Sequence, residues 1–126
     1  MREKLEELLK NAYCPYSHYP VACIIKTDDN KEFCGVNVEN ASYGSTICAE
    51  RSAILNAITN GYKNGSFKEI HIMNKSLKIA FPCFNCRQVL IEFMNKDTLV
   101  YLYSSDKVEK YTLGDLTPHP FTEDNL

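Results

Sequence analysis

The sequence predicts an α/β fold with a mixed five-stranded sheet. Segments rich in β-branched residues alternate along the chain with segments of helical periodicity, a pattern typical of layered α/β proteins. The first two predicted strands are joined by a short polar turn, so they form an antiparallel hairpin, and the sheet is mixed.

The first part of the chain predicts one helix followed by this hairpin. Apolar residues recur at the spacing of an amphipathic helix near the N-terminus, at Leu5, Leu8, Leu9 and Ala12. Two prolines bracket a loop over residues 14–19. Strands are predicted over residues 21–27 and 32–38, with the polar turn at 28–30 between them.

The rest of the sequence, from residue 40 onward, predicts two helices and three strands. A polar loop at 40–46 precedes a helix at 48–60, which Gly61 ends. A buried strand at 69–73 follows, and Pro82 precedes the second helix, with Val89, Leu90, Phe93 and Met94 on its inner side. The last strands are predicted at 99–103 and 108–113.

Length and charge narrow the class of protein. We expect the 126 residues to form a single domain, 1–126. A net charge of -2 without a basic stripe argues against long nucleic acid as a partner. No apolar run is long enough for a membrane span, and the charged residues 1–10 do not suit a secretory signal, so we expect a cytoplasmic protein.

The six cysteines indicate metal chemistry rather than disulfides. A Cys-x-x-Cys pair without a signal peptide is typical of metal or redox sites in a reducing compartment. Cys14, Cys23 and Cys34 stand outside this motif and are expected to be packing residues.

Two segments predict one zinc site. They are Cys48-Ala49-Glu50 and Pro82-Cys83-Phe84-Asn85-Cys86. Three thiolates leave the fourth tetrahedral position open, which distinguishes a catalytic zinc from a structural one. A ligand, one spacer and a glutamate, followed by Pro-Cys-x-x-Cys, is the signature of zinc deaminases.

Both segments lie at predicted helix starts, where free N–H groups and the helix dipole favour thiolates. Three thiolates on a divalent ion leave a net negative charge, which makes the zinc a weaker Lewis acid. Arg51 and Arg87 are placed to offset this charge through contacts to sulfur. Surface positions remain the alternative for both arginines.

Glu50 is the candidate general acid–base residue. Hydrolytic deamination must take a proton from the attacking water, protonate a ring nitrogen and finally protonate the leaving ammonia. One mobile carboxylate beside the metal can perform all three transfers. The alternative is an ordinary acidic residue in the first turn of a helix.

The chain resembles the small homotetrameric cytidine deaminases over almost its whole length. The matching segments are residues 12–18, 37–44, 47–51 and 86–90, with a looser match at 116–121. The resemblance implies a three-layer αβα fold with a mixed five-stranded sheet. It also implies one zinc ion per subunit and a homo-oligomer, expected to be a tetramer. The implied reaction converts cytidine and 2′-deoxycytidine to uridine and 2′-deoxyuridine with release of ammonia.

The resemblance also implies how a nucleoside would be bound. Asn37 and Glu39 correspond to the pair that binds the ribose 3′-hydroxyl. Ala49 would donate its backbone N–H to the base carbonyl. Tyr19 stands where relatives carry a phenylalanine against the base, and its hydroxyl requires a partner of its own.

Further residues would be shared between subunits. By resemblance, Ala41 and Tyr43 lie on a loop that reaches a neighbouring subunit's site, and Phe121 covers a base bound by another subunit. A buried C-terminal anchor is the alternative role for Phe121. The chain departs from its relatives at Phe84 and Asn85, where small residues are usual, so the loop around the metal is expected to be bulkier.

Two other functions are compatible with parts of the sequence. One is deamination of a cytosine-bearing antibiotic nucleoside such as blasticidin S, against which the Asn37 and Glu39 pair argues. The other is a structural zinc module, which needs a fourth protein ligand. The remaining candidates for that ligand, including His18, His71 and His119, have no spacing that recommends them.

Overall fold

A computed structural model describes residues 1–126 and contains one five-stranded sheet. The strands are β1 (Val21–Thr27), β2 (Glu32–Val36), β3 (Phe67–Asn74), β4 (Leu99–Tyr103) and β5 (Val108–Thr112). Their order is β2-β1-β3-β4-β5. The β3–β4 pair is parallel and every other pair is antiparallel, which confirms the predicted mixed sheet.

Helices cover both faces of this sheet. They are α1 (Arg2–Leu9), α2 (Ala49–Thr59), α3 (Phe84–Phe93) and the short α4 (Leu113–Leu116), with 3₁₀ turns at Tyr43–Ser45 and Glu123–Asn125. Side chains along a strand alternate between faces. In β1, Cys23 and Ile25 join the larger apolar cluster with α2 and α3, whereas Ala22 and Ile24 pack with α1. The result is the expected three-layer αβα arrangement.

Two predicted strands are too long at their C-terminal ends. The strand predicted to reach residue 38 ends at Val36, because the Asn37 side chain turns back onto the preceding loop. The strand predicted to reach residue 113 ends at Thr112. There, Thr112 and Asp115 form a capping box that starts α4.

The cysteines outside the motif differ in burial. All six cysteines are free thiols. Cys23 is fully buried in the main apolar cluster, which confirms the expected packing role. Cys14 is half-buried, but Cys34 is exposed, so the packing prediction is wrong for Cys34. Cys34 lies on β2, which is an edge strand of the sheet and has a neighbour on one side only.

Helix α2 lies unusually close to β2 at one point. A Cβ atom on Gly35 would stand 2.4 Å from Ala53 N and 2.5 Å from Ala49 O, both of them backbone atoms of α2. Glycine is therefore what permits the first turn of α2 to rest on the strand. This contact fixes how closely the residues that begin α2 approach the sheet.

No helix in the structure combines the length and the apolar character needed to cross a bilayer.

Candidate metal centre and adjoining cleft

The sulfur atoms of Cys48, Cys83 and Cys86 form one cluster. All three Sγ atoms lie within 4.8 Å of one another, and Cys48 Sγ and Cys83 Sγ are 3.9 Å apart. Helices α2 and α3 pack side by side on the same face of the sheet and bring their N-termini together. The fold thus joins two motifs that are separated by 35 positions in the chain.

Local structure explains why these cysteines face one another. Cys48 is the N-cap of α2 and Cys83 is the N-cap of α3, both with extended backbone. Cys83 Sγ accepts a hydrogen bond from Cys86 N at 3.4 Å, as an N-cap side chain does. Cys86 then lies in the first turn of α3, fully buried beneath the other two sulfurs.

The donor set fits zinc. Zn–S bonds of about 2.3 Å in a tetrahedron place two sulfurs about 3.8 Å apart, close to the 3.9 Å between Cys48 and Cys83. The cluster has three ligand residues, and no fourth Cys, His, Asp or Glu belongs to it. A structural zinc site is normally closed by four protein ligands, so this geometry favours a catalytic site.

The surroundings of Cys48 favour its thiolate form, whereas the hydrogen bond with Cys48 and burial raise the pKa of Cys86. The hydrogen bond with Cys86 lowers the pKa of Cys48 to about 5, and Arg51 acts on this pKa in the same direction. Arg51 Nη2 stands 3.4 Å from Cys48 Sγ and 3.3 Å from the carbonyl of Thr46. The Arg51 guanidinium thus contacts one of the three sulfur atoms, and its charge-balancing role stays a prediction.

Arg87 makes different contacts from those predicted. Its Nε donates to the Pro82 carbonyl at 2.7 Å and its Nη1 donates to the Leu116 carbonyl at 3.0 Å. The guanidinium also covers the ring of Phe84 at 4.3 Å. The hydrogen bonds of Arg87 thus hold the backbone just before Cys83 rather than a sulfur atom.

Glu50 lies directly beside the sulfur cluster. The residue is buried, at 5% exposure, and its Oε2 is 3.8 Å from Cys86 Sγ. Burial raises the pKa of Glu50 to about 7, because a charged carboxylate is poorly solvated there. A carboxyl group with a pKa near neutrality can both accept and release a proton at physiological pH.

A cleft of about 400 Å³ opens over the metal ligands. Its lining includes Cys48, Cys83, Ala49 and Glu50 together with Asn37, Glu39 and Tyr19. Seven of the residues singled out in the sequence therefore meet around a single space. Cys86 lies below this space rather than on its surface.

Asn37 and Glu39 organise the loop that borders the cleft. Asn37 Oδ1 accepts from Val21 N at 2.9 Å, and Asn37 Nδ2 donates to the Tyr19 carbonyl at 2.8 Å. Glu39 Oε1 accepts from the backbone N–H groups of Tyr16 and Ser17 at 3.0 and 3.2 Å. Hydrogen bonding from Ser17 lowers the pKa of Glu39, so this carboxylate is charged.

Three predicted site residues lie outside this cleft. Ala41 is exposed. Tyr43 is 75% exposed, packs against Tyr16 and lines a neighbouring depression. Phe121 is 58% exposed and borders a separate groove beside α3. Within a single chain, none of the three reaches the metal ligands.

The cleft also contains residues that the sequence did not single out. They are Ser17, Val21, Thr46, Ile72, Asn74, Ala80 and Phe81. Ile72 and Asn74 belong to β3, whose apolar pattern signals burial but not which cavity a side chain meets. Phe81 precedes Pro82-Cys83, and this adjacency to a metal ligand was the one available signal.

Comparison with protein families gives one clear match. Residues 1–102 match the family described as the cytidine and deoxycytidylate deaminase zinc-binding region. A cytidine deaminase of Mycoplasma genitalium is 36% identical over 120 residues, which cover 94% of this chain and 91% of that protein.

Solved structures agree with this match. The crystal structure of cytidine deaminase from Burkholderia pseudomallei superposes with a TM-score of 0.91 at 39% identity and covers 94% of each chain. The enzyme from Mycobacterium tuberculosis superposes with a TM-score of 0.80 at 30% identity, covering 97% of this chain and 94% of that one.

Proposed function

The chain belongs to the cytidine and deoxycytidylate deaminase family, and on that premise we propose that it hydrolyses cytidine and 2′-deoxycytidine. The products are uridine or 2′-deoxyuridine and ammonia. One observation carries the proposal: a three-cysteine cluster and a buried glutamate lie together, and Cys48, Cys83 and Glu50 line a nucleoside-sized cleft.

Cys48, Cys83 and Cys86 would hold the zinc ion. When bound there, zinc supplies Lewis acidity that activates a water molecule as the nucleophile. The Arg51 guanidinium offsets the negative charge of the three thiolates through its contact with Cys48. Arg87 supports the site indirectly, because it anchors the Pro82 carbonyl next to Cys83.

Glu50 would transfer the protons. It accepts one from the attacking water and delivers it to the pyrimidine ring nitrogen next to the carbon under attack. It then takes the remaining proton of that water, now on the added hydroxyl group, and delivers it to the amino group, which departs as ammonia. The buried position beside Cys86 supports this role, since the raised pKa lets the carboxyl group both gain and lose a proton near neutral pH.

Nucleoside recognition would fall to the polar part of the cleft. Asn37 and Glu39 each retain hydrogen-bonding capacity beyond their contacts with the protein backbone, because an amide and a carboxylate have several donor or acceptor positions. With this capacity, both would bind the 3′-hydroxyl. Ala49 begins α2, so its N–H has no intrahelical acceptor and can bind the base carbonyl. Tyr19 contributes an aromatic surface.

A complete active site would require residues from more than one subunit. Tyr43 and Phe121 are large, apolar and exposed, and both lie away from their own metal ligands. We assign them, with Ala41, to contacts with the active sites of neighbouring subunits in a homotetramer. Each protomer, residues 1–126, would act as one domain. Unprotected metal-binding thiols suit a reducing compartment such as the cytoplasm.

A paired measurement tests this function. Purified protein is analysed for zinc and then mixed with cytidine while the ultraviolet absorbance of the cytosine ring is followed. We expect about one zinc ion per chain and loss of the cytidine spectrum with release of ammonia. Faster turnover of blasticidin S than of cytidine would contradict the substrate assignment. Zinc binding without deamination of either compound would indicate a structural site.

A further inference from the structure

Phe81 stands out among the residues of the cleft. It is the one phenylalanine in the lining, and it is 46% exposed. It lies two residues before the zinc ligand Cys83. The proton-transfer and sugar-binding roles described above leave this ring without a function. We propose that Phe81 is a substrate-contacting residue that forms an aromatic wall against the pyrimidine ring, an inference that rests on the proposed function.

The chemistry of the cleft favours a planar aromatic ligand at this position. Phe81 shares the lining with the small or aliphatic residues Val21, Ile72 and Ala80, so the cleft offers a ligand apolar surface beside its polar groups. A half-exposed phenyl ring gains free energy when an apolar face covers it. Bases stack on aromatic side chains because each presents a flat π-face.

The ring is held in place before any ligand arrives. It packs edge-on against Tyr111 of β5, with ring centroids 5.3 Å apart and an interplanar angle of 60°. The Tyr111 hydroxyl is fixed in turn by a 2.6 Å hydrogen bond to Glu109. Pro82 restricts the backbone of Phe81, and Arg87 holds the Pro82 carbonyl. Such preorganisation lowers the entropic cost of binding.

Phe84 provides an internal comparison. It follows Phe81 by three positions and lies on the other side of Cys83. Phe84 is more exposed, at 77%, but it borders a different groove and its ring is covered by the Arg87 guanidinium. Exposure alone therefore does not identify Phe81 as a substrate-contacting residue. Phe81 is identified by its place in the same cleft as Glu50 and Asn37.

Phe81→Leu tests the inference, because leucine keeps the site apolar and removes the flat ring. We expect the KM for cytidine to rise by about tenfold, with kcat changing much less. The dissociation constant for uridine, measured by calorimetry, is expected to rise in parallel. Phe81→Tyr keeps the aromatic face and is expected to retain both values. Phe84→Leu is the matched control and is expected to behave as wild type.

Zinc content is measured for every variant. If Phe81→Leu loses zinc, Phe81→Met replaces it as a second non-aromatic variant that retains bulk. A zinc-loaded Leu or Met variant with KM and uridine affinity within about twofold of wild type would overturn the inference. In that case active wild-type enzyme would leave the proposed function intact. If the wild-type protein fails to deaminate cytidine, the proposed function and this inference both fail.

Discussion

Glu50 shows how a single side chain acquires its chemistry from its surroundings. A first-turn glutamate on an exposed helix would be an ordinary carboxylate with a low pKa. Here Glu50 is buried beside Cys86, and the cost of desolvating its charge raises its pKa to about 7. The motif identified the residue, but its burial determines when it carries a proton.

Replacement of Glu50 by glutamine is expected to abolish turnover without releasing the metal. Glutamine has nearly the same size and cannot accept a proton, and the three sulfur ligands are unchanged. We expect cytidine deamination to fall by about 10²-fold to 10⁴-fold, the usual contribution of general acid–base catalysis. Zinc analysis and the absorbance assay measure the two effects separately.

The matched control is Glu92→Gln, an exposed glutamate on α3. It is expected to behave as wild type in both measurements. Turnover by Glu50→Gln close to the wild-type rate would remove Glu50 from its assigned role.

Arg51→Ala is expected to weaken zinc retention, because it removes the cation 3.4 Å from Cys48 Sγ. Partners of metal ligands typically contribute about 10-fold to 100-fold in affinity or activity. Competition with a chelator measures the loss. Arg2→Ala is the control, since Arg2 also donates to backbone carbonyls but does so at Ser104 and Lys107, on the side of the sheet covered by α1. Equal zinc affinity in the two variants would contradict the assignment.

At the scale of elements, every predicted helix and long strand is present. Periodicity of apolar residues is strong in these segments and predicts their type well. The C-terminal ends of β2 and β5 were less predictable, because side-chain hydrogen bonds determine where these strands stop. Thr112 and Asp115 carry the spacing of a capping box, but the β-rich residues before them favoured a longer strand. Asn37 ends β2 through contacts with residues 16 and 18 positions earlier, which no local pattern reveals.

The contact between β2 and α2 yields a prediction for Gly35→Ala. The added Cβ would lie within 2.5 Å of the backbone of Ala49 and Ala53, so α2 must shift. We expect destabilisation of about 3 kcal/mol, at the upper end for overpacking. Zinc affinity is expected to fall with it, since Cys48 caps that helix.

Thermal or denaturant unfolding measures the stability, and chelator competition measures the zinc affinity. Gly44→Ala is the control, because a Cβ atom at that position would meet no neighbouring atom within 4 Å. A Gly35→Ala protein as stable as Gly44→Ala would show that the close approach of α2 to β2 is not required.

At the scale of the whole molecule, the separation of Phe121 from its own cleft is the central feature. Phe121 borders a groove beside α3, and its carbonyl accepts a hydrogen bond from Gln88 at 2.9 Å. This contact fixes the tail while the residue remains 58% exposed. Such an arrangement suits a ring that acts on a neighbouring subunit.

Mixing two defective variants tests this sharing of sites. Glu50→Gln and Phe121→Ala are each expected to have low activity in pure form. After dissociation and reassembly together, Glu50→Gln subunits can supply Phe121 to sites that retain Glu50. We expect deamination by the mixture to exceed the sum of the separate activities.

Native mass spectrometry establishes that hybrid oligomers have formed. Reassembly of Glu50→Gln with the wild-type protein is the control for activity that is lost during dissociation and reassembly. Hybrids with no recovered activity, or full activity of Phe121→Ala alone, would place Phe121 outside any shared site.

The candidate metal ligands, the candidate acid–base residue and the types of the main elements could all be predicted from the sequence. These follow from short spacings and from helix starts, which depend on neighbouring residues in the chain. Three outcomes became visible only in the folded chain: Cys48 meets Cys83, Phe81 lines the cleft while Phe84 does not, and Arg87 holds carbonyls rather than sulfur. Those outcomes depend on how α2 and α3 pack on one sheet, and such packing joins residues too far apart in the chain for local patterns to specify.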